Sequence, residues 1–103
     1  MYRVILNRMA DLDIGNNALA SRFEVLVNGG LAVLDYRIAG GTIFLLHVEV
    51  PPSEQGRGVA SRLSRTALEF SRDRGLKVVP RCPFIAAYMR RHPELLQPVS
   101  RGT

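Results

Sequence analysis

The chain reads as an α+β domain: a mixed, mostly antiparallel sheet with a central β-α-β unit and helices on both faces. Three observations predict it. Residues 21–27 and 31–38 alternate apolar and polar side chains on either side of Asn28-Gly29-Gly30, the signature of two antiparallel strands joined by a tight turn. After Ala39-Gly40-Gly41, the run from Thr42 to Val50 is almost continuously apolar and β-branched or aromatic, as expected of a central strand covered on both faces. A helix-period segment then leads to the short apolar run Leu76-Lys77-Val78-Val79-Pro80, which gives a β-α-β unit, right-handed with parallel strands.

Taken in order, residues 16–20 carry no periodic signal and read as a loop or one helical turn. In the first strand Phe23, Val25 and Val27 share a face, and in the second Ala32, Leu34, Tyr36 and Ile38 do; both faces are core, with Tyr36 partly exposed at an edge. Residues 45, 47 and 49 of the central strand share a face by the period of two, so His47 and Glu49 project side by side. Pro51 and Pro52 end that strand because neither can donate to a ladder, and Ser53 is a candidate helix cap. Val59, Leu63, Ala67 and Phe70 recur at helical spacing, with Arg57, Arg62, Arg65, Arg72 and Asp73 on the other sides. Gly75 suits a left-handed C-terminal stop. A second helix is expected from Phe84 to Arg91.

Between the central strand and its helix stands Gln55-Gly56-Arg57-Gly58-Val59-Ala60. Glycines at 56 and 58 let the backbone approach a ligand closely, and the unpaired N–H groups of a first helical turn, with the helix dipole behind them, favour an anion. A pyrophosphate fits. The plainer alternative is a tight strand-to-helix turn with no ligand.

The pattern Gln-x-x-Gly-x-Ala between a strand and a helix resembles the pyrophosphate signature of the GNAT superfamily of acyl-CoA-dependent N-acetyltransferases. Arg22-Phe23-Glu24-Val25, Leu34-Asp35-Tyr36, His47-Val48-Glu49-Val50-Pro51-Pro52, Pro80-Arg81-Cys82-Pro83-Phe84 and Tyr88-Met89-Arg90-Arg91-His92-Pro93-Glu94, in that order, resemble the minimal single-domain branch of that superfamily. The resemblance spans about residues 11–97, and Met9-Ala10-Asp11 looks like a natural start, which makes residues 1–8 an extension and 98–103 a tail of one domain over 1–103. It implies an acetyl-CoA or coenzyme A cofactor held by Val48, Val50, Gln55, Gly56, Arg57, Gly58, Val59, Ala60, Arg62 and Cys82, and transfer of an acetyl group to an amine such as a protein lysine. The chain lacks a segment after Glu94 long enough for the superfamily's usual closing strands, so the acceptor side is undefined.

Length and composition agree with one folded domain. The chain has 103 residues, 47% hydrophobic and 22% charged, enough for a core without much surplus. No apolar run is long enough to span a membrane, and the lone cysteine fits a reducing, cytoplasmic setting. Thirteen arginines and one lysine against nine acids give a net charge of +5, scattered without a basic run or interleaved aromatics; a polyanionic small cofactor accounts for this better than nucleic acid does. Arg57, Arg62 and Arg65 are the candidates for phosphate contacts. Two histidines and one cysteine at these spacings offer no usual metal-ligand set.

Acetyl transfer to an amine needs a base, an oxyanion donor and a proton for the departing thiolate. Glu49 is the candidate base, directly or through water, and would need burial to raise its pKa; a structural ion pair with an arginine is its alternative. His47 is a candidate beside it. Cys82, at a helix start next to Arg81, either carries the acetyl group as a thioester or lines the pocket while the amine attacks directly. Tyr88 resembles the superfamily tyrosine that protonates the thiolate, and helix packing is the alternative. The resemblance places the oxyanion donor at a backbone N–H near Val48 to Val50. Two further classes stay open: a non-catalytic coenzyme A-binding module, and an interaction domain that uses its arginines.

Overall fold

The computed structural model describes residues 12–96; the expected extension, 1–8, and tail, 98–103, lie outside them. Five strands form one sheet in the order β1 (Gly15–Asn17), β2 (Arg22–Val27), β3 (Gly30–Ala39), β4 (Thr42–Glu49) and β5 (Lys77–Pro80). The first three pairings are antiparallel and β4–β5 is parallel. Helix α1 (Val59–Asp73) crosses between β4 and β5, and helix α2 (Pro83–Arg91) follows β5. The mixed sheet and its central β-α-β unit therefore stand as expected.

The layering is simpler than a helix on each face. Both helices pack on the same face, where Phe23, Val25, Leu34, Ile43 and Leu45 from the sheet meet Leu63, Ala67 and Leu68 of α1 and Ile85 and Tyr88 of α2 in one continuous core. Among the described residues no helix covers the other face. Leu26, Leu31 and Leu46 stand exposed there or at its rim. The described residues hold two helices of length, α1 in the crossover and α2 after the edge strand β5, and they pack against each other on one side.

Of residues 16–20, left as loop or one helical turn by their sequence, 18–20 are a turn as expected, whereas Asn16 and Asn17 join Gly15 in a short strand antiparallel to β2. Three residues without alternation give no periodic signal; the pairing partner defines them. Tyr36 is buried rather than half-exposed, and its hydroxyl donates to Asn16 Oδ1 at 2.7 Å, which satisfies the polar tip without surfacing it. Its ring lies 5.2 Å from that of Phe23, and Phe70 closes the cluster edge-on at 5.4 Å from Phe23. Ile38, expected in the core, is exposed where β3 runs past the helices.

The central strand carries the feature that matters most for the site. Pairing runs Asp35↔His47 on one side of an irregularity and Tyr36↔Leu45 on the other, so Leu46 is an extra residue bulged out of β4. A bulge breaks the period of two. Leu45 is fully buried on the helix face, whereas His47 and Glu49 are turned to the open face; the expectation that 45, 47 and 49 share one face is corrected by that single inserted residue.

Candidate active site and cofactor cleft

Strands β4 and β5 stay together only as far as Leu45↔Pro80, where the Arg81 N–H still reaches Leu45 O at 2.8 Å. Pro80 has no N–H to continue the ladder, and the chain turns at Cys82 into α2. Beyond that point β4 runs on beside a gap. Tyr36 N–H bonds to Ser21 O on the β2 side, so its neighbours Asp35 and Val33 direct their amides to β4, where they meet His47 and Glu49. By alternation Val48 and Val50 turn their backbone groups into the gap. Val50 O accepts from Gln55 Nε2 at 3.2 Å, which ties the end of the strand to the glycine loop.

That loop begins with a 3₁₀ turn at Pro52–Glu54. Gly56 has φ +81° and Gly58 has φ +85°, both in the left-handed region that side chains disfavour. Gly58 is the cap residue of α1, without a side-chain cap and without an acid in the first turn. Ser53 does not cap the helix as expected; its hydroxyl donates to Asn28 O at 3.1 Å and pins the loop to the β2–β3 turn. The first amide of α1 to find an internal acceptor is that of Arg62, on Gly58 O at 3.0 Å. The amides of Val59, Ala60 and Ser61 precede it and face outward at the positive end of the helix.

A cleft of about 500 Å³ opens on these groups, lined by Val50, residues 54–56 and 58–61, and Phe84 from the start of α2. Its apolar walls and amide-lined floor suit a molecule with a phosphate and an apolar arm. Seven of its nine lining positions fall on or within one residue of the Gln55 to Ala60 motif. Phe84 ends the Pro80 to Phe84 motif but was not among the residues expected to hold the cofactor; only tertiary packing brings it opposite the glycine loop.

The arginines divide. Arg57 is exposed on the loop. Arg62 has a buried Nε with no partner among the described residues, the kind of orphaned donor that an anion would satisfy. Arg65 is already engaged: its Nε lies 3.2 Å from Glu69 Oε2, and hydrogen bonding to the Tyr88 hydroxyl first, with the Glu69 charge behind it, holds its guanidinium more firmly protonated than usual. Tyr88 itself is buried between α1 and α2, its ring 4.4 Å from that of His92, and it does not line the cleft.

On the open face His47 Nε2 lies 3.4 Å from Glu49 Oε1 and 3.8 Å from Asp35 Oδ2, and Asp35 in turn holds Arg22 Nε at 2.9 Å. Glu49 is 74% exposed, so the burial expected of it is absent, and its neighbour is a histidine rather than an arginine. Asp35 as the anchor behind His47 was not anticipated, because the register that joins 35 to 47 depends on the bulge. Cys82 is half-buried against the core at the cap position of α2, where its carbonyl accepts from Ala86 N–H at 2.9 Å. Among the described residues no cluster could hold a metal ion, and no described helix is long and apolar enough to cross a membrane.

A family model described as GCN5-related N-acetyl-transferase matches residues 22–99, which begins at β2 and takes in every later described element. The chain belongs to this acetyltransferase family. Relatives within reach of the GCN5-related match include Protein NATD1 of Gallus gallus, 33% identical over 91% of this chain and 93% of its own length. Protein NATD1 of Homo sapiens is 39% identical over 75% of each chain. A GCN5-like putative N-acetyltransferase from Staphylococcus aureus, solved in solution by NMR, superposes with a TM-score of 0.61 over 90% of this chain and 95% of that one, at 20% identity; it shares the GCN5-related fold.

Proposed function

We propose that the protein is an acetyl-CoA-dependent N-acetyltransferase that moves an acetyl group onto an amine, with protein lysine among its acceptors. The observation that carries this reading is the parting of β4 from β5 after Leu45↔Pro80: a phosphate-suited cleft lies at the helix start that follows β4, and the His47 and Glu49 pair stands on the open face of the same strand. Cofactor and acceptor can thus approach from opposite sides of the sheet.

In this reading the amides of Val59, Ala60 and Ser61 and the Arg62 guanidinium hold the pyrophosphate, Gly56 and Gly58 let it approach, and Val50 and Phe84 wall the apolar arm. Acetyl-CoA supplies the activated thioester. Val48 N–H, turned into the gap, donates to the carbonyl oxygen as it gains charge. Glu49 takes the proton of the acceptor ammonium through water, with His47 held between Glu49 and Asp35 to pass it on. The amine nitrogen then adds to the acyl carbon, the C–N bond forms as the C–S bond breaks, and the thiolate leaves as the free thiol after protonation from solvent. Cys82 lines the gap in direct transfer, or takes the acetyl group first and yields it to the amine. Tyr88 positions α2 against α1 through Arg65.

The 74% exposure of Glu49 favours a second reading, a coenzyme A-binding module without turnover. Native mass spectrometry with acetyl-CoA, then intact mass after denaturation beside a Cys82→Ala control, separates these. A specific complex and acetylated amine support the transferase; an adduct lost in the control assigns the thioester route. A complex without turnover supports the module, and no complex overturns both. We assign the protein to the cytosol on its lone cysteine.

A further inference from the structure

The open face carries a pattern that the transfer chemistry leaves unused. Register aligns its side chains in rows: Leu26 opposite Leu31, then Glu24, Val33 and Glu49, then Arg22, Asp35 and His47. Leu26 is 78% and Leu31 46% exposed, whereas Val33 in the next row is buried. The two leucines are a cross-strand pair of bare apolar side chains, one row from Glu49. Charge is graded along the same face. Arg22 is spent on Asp35 at 2.9 Å, while Glu24 receives only a long amide contact from Asn17 at 3.4 Å and Glu49 only His47. The row beside the leucines is therefore acidic on both flanks.

We infer that the acceptor is a lysine in an extended protein segment with an apolar residue two positions away, docked on Leu26 and Leu31; this rests on the transferase reading above. A cation at Glu49 meets complementary charge, since Glu24 and Glu49 stand on either side of Val33 without an arginine in their row. Residues two apart in an extended segment are about 7 Å apart, and the diagonal from Glu49 to the Leu26–Leu31 row is of the same order, so one segment reaches both. A small free amine would leave the leucines bare. Continuity with Glu49 distinguishes this pair from Leu19, which is more exposed still but sits at the β1–β2 turn, apart from the site.

The test uses the full chain with coenzyme A bound and eight-residue peptides that carry one lysine flanked two residues away by either leucine or serine. Methyl NMR of the leucines and titration read binding. The leucine peptide is expected to shift the Leu26 and Leu31 methyls and bind about tenfold more tightly than the serine peptide, and Leu26→Ser with Leu31→Ser is expected to abolish the difference. Equal affinity of the two peptides, or a preference that survives the double variant, overturns the inference. If the leucine peptide docks as stated but acetyl-CoA yields no acetylated product, the docking surface stands and the transferase reading falls.

Discussion

Glu49 reaches solvent on one side and His47 on the other, and this decides how the residue works. An exposed carboxylate cannot rely on desolvation, so its contribution is positional, with water between it and the amine and His47 behind it on the Asp35 side. Glu49→Gln is expected to lower kcat/KM about 10²-fold or more while the acetyl-CoA Kd measured by calorimetry stays put; an unchanged kcat/KM would remove Glu49 from the mechanism. At the far end of α2, the Glu94 carboxyl is held below the usual carboxylate range, first by its own backbone N–H and then by His92 Nδ1 at 3.2 Å. A depressed carboxyl stabilises the fold above the titration of the unfolded chain, and this contribution disappears as pH falls through the lower folded value. NMR titration should find Glu94 below free glutamate, and His92→Ala should move it upward; a midpoint at or above the free value refutes the contact.

Among the elements, the strand-to-helix loop was readable from sequence because each of its parts is local. Two prolines end a strand by lacking N–H groups, and two glycines enable a left-handed approach to a helix start. Gly58→Ala forces a side chain into φ +85° at the cap of α1, so a stability loss of about 1–2 kcal/mol in urea denaturation is expected, together with weaker acetyl-CoA binding. Wild-type binding in that variant would show that the loop only turns the chain. The bulge at Leu46 had no such local signature. A continuous apolar run looks the same with or without an extra residue, and the face of His47 and Glu49 follows from pairing with β3. Ser53 shows the same limit: its partner, Asn28, is distant in sequence, and that contact displaced the expected helix cap.

At the scale of the molecule, one core joins the sheet to both helices, so damage anywhere in it should be felt everywhere. Leu68, fully buried on α1, is expected to cost about 2–5 kcal/mol as Leu68→Ala, with a single cooperative transition by fluorescence and circular dichroism alike. Two separated transitions would mean that α2 packs independently. The sequence by itself determined the hairpin, the β-α-β unit, most of the core and the phosphate-suited loop, because periodicity, turn residues and helix ends act within a few positions along the chain. Tertiary structure alone decided that both helices share one face, that Tyr88 meets Arg65, that Phe84 walls the cleft, and that Glu49 faces away from Leu45. Each of these depends on which residues come together across the fold, and one bulged residue is enough to reverse a face.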